Sequence, residues 1–438
     1  MASLFHCLLL FLILFSVSTA QKTSFRPKAL VLRVTKDEST LQYYTRVAQR
    51  TPAIPIKLSI DLGSEFLWVD CENGYNSSTK KPVPCRSAQC SLSGSKACTS
   101  NTNPSDDVCI ESPHNPFTNT GTADEFSQDI IYIQSTDGKN PGKVVNVPKF
   151  LFTCAPTFIL EGLAKGAVGI AGLGGNKVSM PSLFSAAFSF PRKFAVCLSS
   201  STSETQNGAV IFGDGPYVLS PGIDISKSLT YTPLVLNRKS LIGCFPGEAS
   251  AEYFIGVRSI KVGGKQVPLN STLLSFDEDG HGGTKISTAT PYTTLETSIY
   301  KAVVDAFVKA LGVPTVPAVS PFTACFSTLK IGSTVNGPDV PPIDFVLQSE
   351  KVVWRIHGAN SLVFVGSDVA CLGFVDGGPL HFVDWGIKFT PTAIVIGGHQ
   401  IEDNLLQFDL ATSRLGFSSL LHNKKTGCSS FNFTSIDD

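Results

Sequence analysis

Little of this chain of 438 residues is charged: 35 basic and 35 acidic side chains make up 16% of it and cancel to a formal charge of zero. That balance leaves no electrostatic footprint for nucleic acid or an anionic membrane, and neither is expected as a partner. Beyond the N-terminus no run is long and apolar enough to cross a bilayer, which takes ~20 residues. Long stretches with a 3.6-residue period are few. Cys-x-x-Cys pairs are missing, and His114, His281, His357 and His399 lack ligand spacing, so neither a metal site nor a cofactor is expected.

What the chain does contain begins with Leu8 to Phe15, an apolar core, followed by the small residues Ser16 to Ala20. The pattern reads as a secretory signal peptide over 1–20, cleaved before Gln21, although no Lys or Arg precedes the core. The mature protein is then expected to be soluble and extracellular. Eleven of the twelve Cys lie beyond that point, as secretion favours, and an odd number leaves at least one thiol unpaired. Five of them crowd residues 71–109, a stretch rich in Ser, Asn and Pro that reads as a disulfide-tied loop region. Asn76, Asn270 and Asn432 each head an N-glycosylation sequon.

Abundant Val, Ile, Thr, Ser and Phe, with Gly and Pro at short intervals, indicate a mainly β protein long enough for two domains. Helices are expected at Met180 to Phe188 and at Thr297 to Leu311, the second with Ile299, Val303, Ala306, Phe307 and Ala310 on one face.

Two segments organise the rest. In Ile60-Asp61-Leu62-Gly63-Ser64 an apolar strand breaks into a carboxylate-bearing turn and then resumes through Phe66 to Asp70. Half a chain later Ile286-Ser287-Thr288-Ala289-Thr290 repeats the form, with Ser287 in place of the Asp. Each is followed by an apolar strand ending in Gly: Ala167 to Gly174, and Thr392 to Gly398. Two such pairs make an internal duplication specific where one alone would not be.

The duplicated loops resemble those of pepsin-like aspartic proteases. Within that family the chain is similar to the plant extracellular branch that holds the extracellular dermal glycoprotein, the basic globulins and the xylanase and xyloglucanase inhibitors. The carrying segments are Asp61 to Ser64, Cys85 to Leu92, Phe152 to Pro156, Ile211 to Asp214, Ile286 to Thr288 with Pro291, and Gly397 to Leu405. The resemblance implies a bilobal fold with a central cleft, a β lobe over 21–222 carrying the 71–109 insert, and a second over 223–438. It also implies the disulfides Cys71–Cys154, Cys197–Cys428 and Cys325–Cys371. Cys85, Cys90, Cys98 and Cys109 are left to pair among themselves, and Cys244 as the free thiol.

Family chemistry needs two carboxylates sharing one proton, one acting as base toward water and the other as acid toward the carbonyl. A Ser hydroxyl cannot supply either role, so the dyad positions Asp61 and Ser287 are expected to be vestigial and the protein a pseudo-protease. Leu62 stands where the family has Thr, so the Thr288 hydroxyl loses its equivalent across the pseudo-twofold axis. The flap region, 115–133, offers Phe117 and Phe126 but no Tyr before Tyr132. Asp61 is expected to be structural, bonded to Ser64.

Members of this branch block microbial glycoside hydrolases through loops of the second lobe, which map here to 330–341 and 376–391. Arg, the best cation for a cleft with two carboxylates, is expected in close relatives where this chain has Val335 and Pro391. Lys330, His381 and Lys388 are the substitute cations, and Phe382, Trp385 and Phe389 make the second loop aromatic. The resemblance thus implies a secreted defence protein of the apoplast or cell wall that inhibits a xyloglucanase or xylanase. A storage or peptide-binding globulin, and a residual aspartic endopeptidase, are the alternatives. Oligomeric state is not legible in the sequence.

Overall fold

The computed structural model describes residues 25–100, 102–103, 106–239, 249–380 and 391–435. The expected signal peptide, Cys244 and the loop side chains of His381, Phe382, Trp385, Lys388 and Phe389 lie outside them. The architecture is mainly β and pepsin-like, with two lobes built on one repeated motif.

A six-stranded antiparallel sheet joins the lobes. Its order is Ala29–Lys36, Gly208–Phe212, Lys193–Cys197, Leu405–Asp409, Arg414–Phe417 and Thr230–Val235. The two central strands face each other with Phe194 opposite Phe408. Their rings stack at 4.9 Å, and Tyr253 closes on Phe408 at 4.4 Å. Leu405–Asp409 is buried along its whole length, so its apolar run has two packed faces rather than one. Each such fully buried aromatic contributes about 1.5–3 kcal/mol over an exposed one.

The duplication read from the sequence is present as a repeated strand pattern. In the first half Ile54–Asp61 runs parallel to Gly169–Gly172, which pairs antiparallel with Trp68–Asp70, itself parallel to the end of Pro141–Ala155. In the second half Thr284–Ile286, Ile394–Ile396, Thr293–Leu295 and Phe374–Asp376 repeat those relations in the same order. Glycine is required at the crossing point of each copy. A Cβ on Gly172 would lie 2.2 Å from the Phe66 carbonyl oxygen and 2.8 Å from that of Ser64; on Gly397 it would lie 2.5 Å from the Tyr292 oxygen and 2.8 Å from that of Thr290.

Both expected helices form over the expected residues, Met180–Phe188 and Thr297–Leu311. The longer begins where the Glu296 carboxylate accepts from the N–H groups of Ser298 and Ile299, and stops at Gly312 with φ 67°. Its buried face is Ile299, Tyr300, Val303 and Phe307. Ala306 is half-buried and Ala310 exposed, so the buried stripe ends at Phe307, about a turn before the helix does.

Five disulfides close the described chain: Cys71–Cys154, Cys85–Cys98, Cys90–Cys109, Cys197–Cys428 and Cys325–Cys371. The insert is more than a tied loop. Lys81–Pro82 and Cys109–Glu111 pair with the long strand Asp124–Thr136, and Val83, Cys90 and Cys109 pack with Trp68 and Phe126. Its half-cystines supply the apolar surface that its Ser- and Asn-rich composition seemed to deny it.

Candidate functional site

The strand Ile54–Asp61 delivers Asp61 to the interface between the lobes, 3% exposed. Ser64 donates its hydroxyl to Asp61 Oδ2 at 2.7 Å. Burial pushes the Asp61 carboxyl above its ordinary value of 3.8; the Ser64 bond opposes that, the Glu252 charge adds to it and the Lys285 charge opposes it.

The strand pattern makes Ser287 the counterpart of Asp61. Main-chain bonding from Ser287 N–H to Ile396 O continues its strand, and its Oγ accepts the N–H of Ala289 at 3.1 Å. One residue on, Thr288 Oγ1 accepts the N–H of Leu62 and donates to the carbonyl of Ile60, both at 3.1 Å. The hydroxyl expected to lose its counterpart therefore keeps two partners of its own, both backbone groups of the opposite loop. Leu62 cannot return the contact, and its side chain is wholly buried in the core. The grip between the lobes is one-sided.

An ion pair that the sequence did not disclose occupies the same region. Lys285 Nζ donates to Glu252 Oε1 at 2.6 Å, with the two side chains 13% and 16% exposed. A Cβ on Gly63 would lie 3.4 Å from Asp61 Oδ2 and 3.5 Å from Glu252 Oε1, so both carboxylates border one point. Lys285 is the strand position two before Ser287, hence on the same face. A lysine in that otherwise apolar approach was the available signal. The segment around Glu252 also reaches into the first lobe, since Gly175 N–H donates to Ala251 O at 2.7 Å and Tyr253 Oη to Leu173 O at 2.7 Å. Chemically, the site holds one buried carboxyl that accepts the Ser64 hydroxyl, with an ammonium and a second carboxylate paired to each other alongside.

Of the flap-region aromatics, Tyr132 is half-buried on a strand paired at Ala48. Phe126 is wholly buried and Phe117 packs against the Trp68 cluster.

Of the loop residues, Lys330 ends the short turn Thr328–Lys330, exposed, beside Leu329 at 83% exposure. Val335 tips the hairpin Ser333–Thr334/Gly337–Pro338 and is 65% exposed. Pro391 is half-buried, with its carbonyl accepting Gly282 N–H at 2.7 Å. Leu329, which the sequence reading passed over, is the most exposed large apolar side chain among the described residues. Asn76, Asn270 and Asn432 are all exposed. Among the described residues no group of three His, Cys, Asp or Glu side chains is placed to hold a metal ion.

Residues 43–214 match a family model described as xylanase inhibitor N-terminal, and residues 252–419 one described as xylanase inhibitor C-terminal. A probable aspartic proteinase GIP2 of Nicotiana benthamiana is 54% identical over 98% of both chains. Gamma conglutin 1 of Prunus dulcis is 44% identical over 98% of this chain and 96% of its own. A crystal structure titled edgp superimposes with a TM-score of 0.89 at 54% identity, covering 94% of this chain and 100% of that one. Soybean basic 7S globulin follows at 0.77 and 33%, covering 93% and 98%.

Proposed function

Since this chain belongs to the xylanase-inhibitor-like family of pepsin-like proteins, we propose that it is a secreted, catalytically inactive member. Its role is to bind a microbial cell-wall-degrading glycoside hydrolase, of the xyloglucanase or xylanase type, in the apoplast or cell wall. The observation that supports the inactive half is that the strand leading to Ser287 repeats the pairing of the strand that ends at Asp61, so a hydroxyl stands at the position that corresponds to the first lobe's carboxylate. Proton sharing between two carboxylates, which lets one act as base while the other stays acid, has no second group to work with.

The binding half rests on the exposed segment with Leu329, Lys330 and Val335, where large apolar side chains flank an unburied cation. Such side chains cluster at protein interfaces more than on free surfaces. Lys330, His381 and Lys388 are the cations offered to the target's carboxylates, with Trp385 as an aromatic anchor. Lys is a point charge without the planar fork of Arg, so binding is weaker than in relatives with Arg at the positions of Val335 and Pro391. Sugars at Asn76, Asn270 and Asn432 are part of this reading.

The relatives named gamma conglutin and basic 7S globulin favour a second reading, a storage or peptide-binding globulin. Pull-down from a panel of secreted fungal xyloglucanases and xylanases separates the two. Capture of a panel member, strengthened by Val335→Arg, supports inhibition; no capture by either form leaves the globulin reading ahead.

A further inference from the structure

A second site lies away from the vestigial dyad, where the sheet between the lobes meets the C-terminal tail. A wide-mouthed depression of about 430 Å³, lined mainly by polar side chains, opens there. We propose that it binds a hexuronate, a sugar ring bearing one carboxylate.

The walls are held in place before any ligand arrives. Ser200 and Ser201 follow the strand that ends at Cys197, Ser429 and Ser430 follow Cys428, and the Cys197–Cys428 bridge locks the two walls together. The floor is Asp403, 4% exposed and in the left-handed region at φ 50°. Its carboxylate is fully engaged: Oδ1 accepts the N–H of Cys428 at 2.8 Å, Oδ2 accepts the Ser200 hydroxyl at 2.7 Å, and His422 Nε2 stands 3.7 Å from Oδ2. The acid therefore organises the cavity and is not left facing a ligand as a bare charge.

What remains for a ligand is mostly hydroxyl. The Ser200 hydroxyl, already donating to Asp403, can only accept from a ligand, and that of Ser201 already accepts the Ser203 N–H at 3.1 Å. Those of Ser429 and Ser430 can donate and accept, and such a set suits the ring hydroxyls of a sugar, themselves both donors and acceptors. At the rim Lys425 is exposed and makes no side-chain ion pair among the described residues, while its N–H holds the turn by donating to His422 O at 2.9 Å. That ammonium is the complement of one carboxylate. On the other lip Val335 offers an apolar surface to the C–H face of a sugar ring. Inorganic phosphate would engage the ammonium but leave Val335 and the serines of the far wall without a partner.

Calorimetric and saturation-transfer NMR titrations with galacturonate, galactose and inorganic phosphate test the assignment. Galacturonate binds more tightly than galactose or phosphate. Lys425→Asn, chosen because Asn tolerates the left-handed backbone, lowers galacturonate affinity about fivefold, the worth of an exposed ion pair, and leaves galactose unchanged. Val335→Asp weakens both sugars. Equal binding of galactose and galacturonate, phosphate binding as tight as galacturonate, no binding of either sugar, or indifference of galacturonate to Lys425→Asn overturns it.

Discussion

Lys285 donates to Glu252 across 2.6 Å, and this pair borders the buried carboxyl of Asp61. Lys285 lies on the strand Thr284–Ile286, and Glu252 immediately precedes the strand Tyr253–Ile255 that pairs with it. The strand leading to Ser287 thus presents an ammonium on the same face, two residues before it.

On the proposed reading proteolysis should be absent, and Ser287→Asp alone should not restore it. The new carboxylate would share its strand face with Lys285, whose charge favours ionisation and opposes the proton sharing the mechanism requires. Digestion of denatured casein from acid to neutral pH measures this. Pepstatin-sensitive cleavage by the wild type, abolished in Asp61→Ala, would show the dyad argument to be mistaken.

Two buried carboxyls should give stability opposite dependences on pH. Burial holds the folded pKa of Asp61 above 3.8, so its ionisation opposes folding as pH rises through that folded value, and the penalty is absent below the unfolded one. Asp61→Asn should therefore raise stability at neutral pH and change little in acid. Burial opposes the ionisation of Glu402 too, but the hydrogen bond from His399 and the charge of Lys36, 2.6 Å away, outweigh it and hold its pKa below 4.5. Its stabilisation is present above 4.5 and lost as pH falls through the depressed value. Glu402→Gln should cost about 3–5 kcal/mol at neutral pH, as for a broken buried pair, with the deficit narrowing in acid. Denaturant titrations at neutral pH and near pH 3 read both variants.

The two active-site loops, both long helices and the duplication were legible because each is a local pattern: alternation broken by a turn, a 3.6-residue stripe, an apolar strand ending in glycine. The Lys285–Glu252 pair was not, since its members are 33 residues apart and meet only through strand pairing. Thr288 was judged by the side chain opposite it, yet its partners are the backbone of Ile60 and Leu62, which no side-chain pattern reveals. The packing of the insert escaped for a related reason. Cys90 and Cys109 count as apolar core only once their bond buries them against Trp68 and Phe126.

Ten cysteines are engaged in the five bridges. On the expected cleavage before Gln21, which removes Cys7, Cys244 is the one cysteine of the mature chain outside those bridges. Alkylation of the native protein without reduction, followed by peptide mapping, should label Cys244 alone. Label on any other cysteine, or none on Cys244, would contradict this.

The proposed activity is occupation of a glycoside hydrolase by a protease framework without its dyad. Its most direct measurement is the residual activity of secreted xyloglucanases and xylanases titrated with the purified protein at low and moderate salt, with the integrity of both partners followed in the same reactions. The account predicts stoichiometric loss of activity for at least one enzyme, no cleavage of either protein, weaker inhibition as salt rises, and at least tenfold weaker inhibition in Lys330→Ala or Lys388→Ala, whichever cation meets the target's carboxylates. Full activity across the panel at every ratio, or loss of activity through proteolysis of the enzyme, would contradict it.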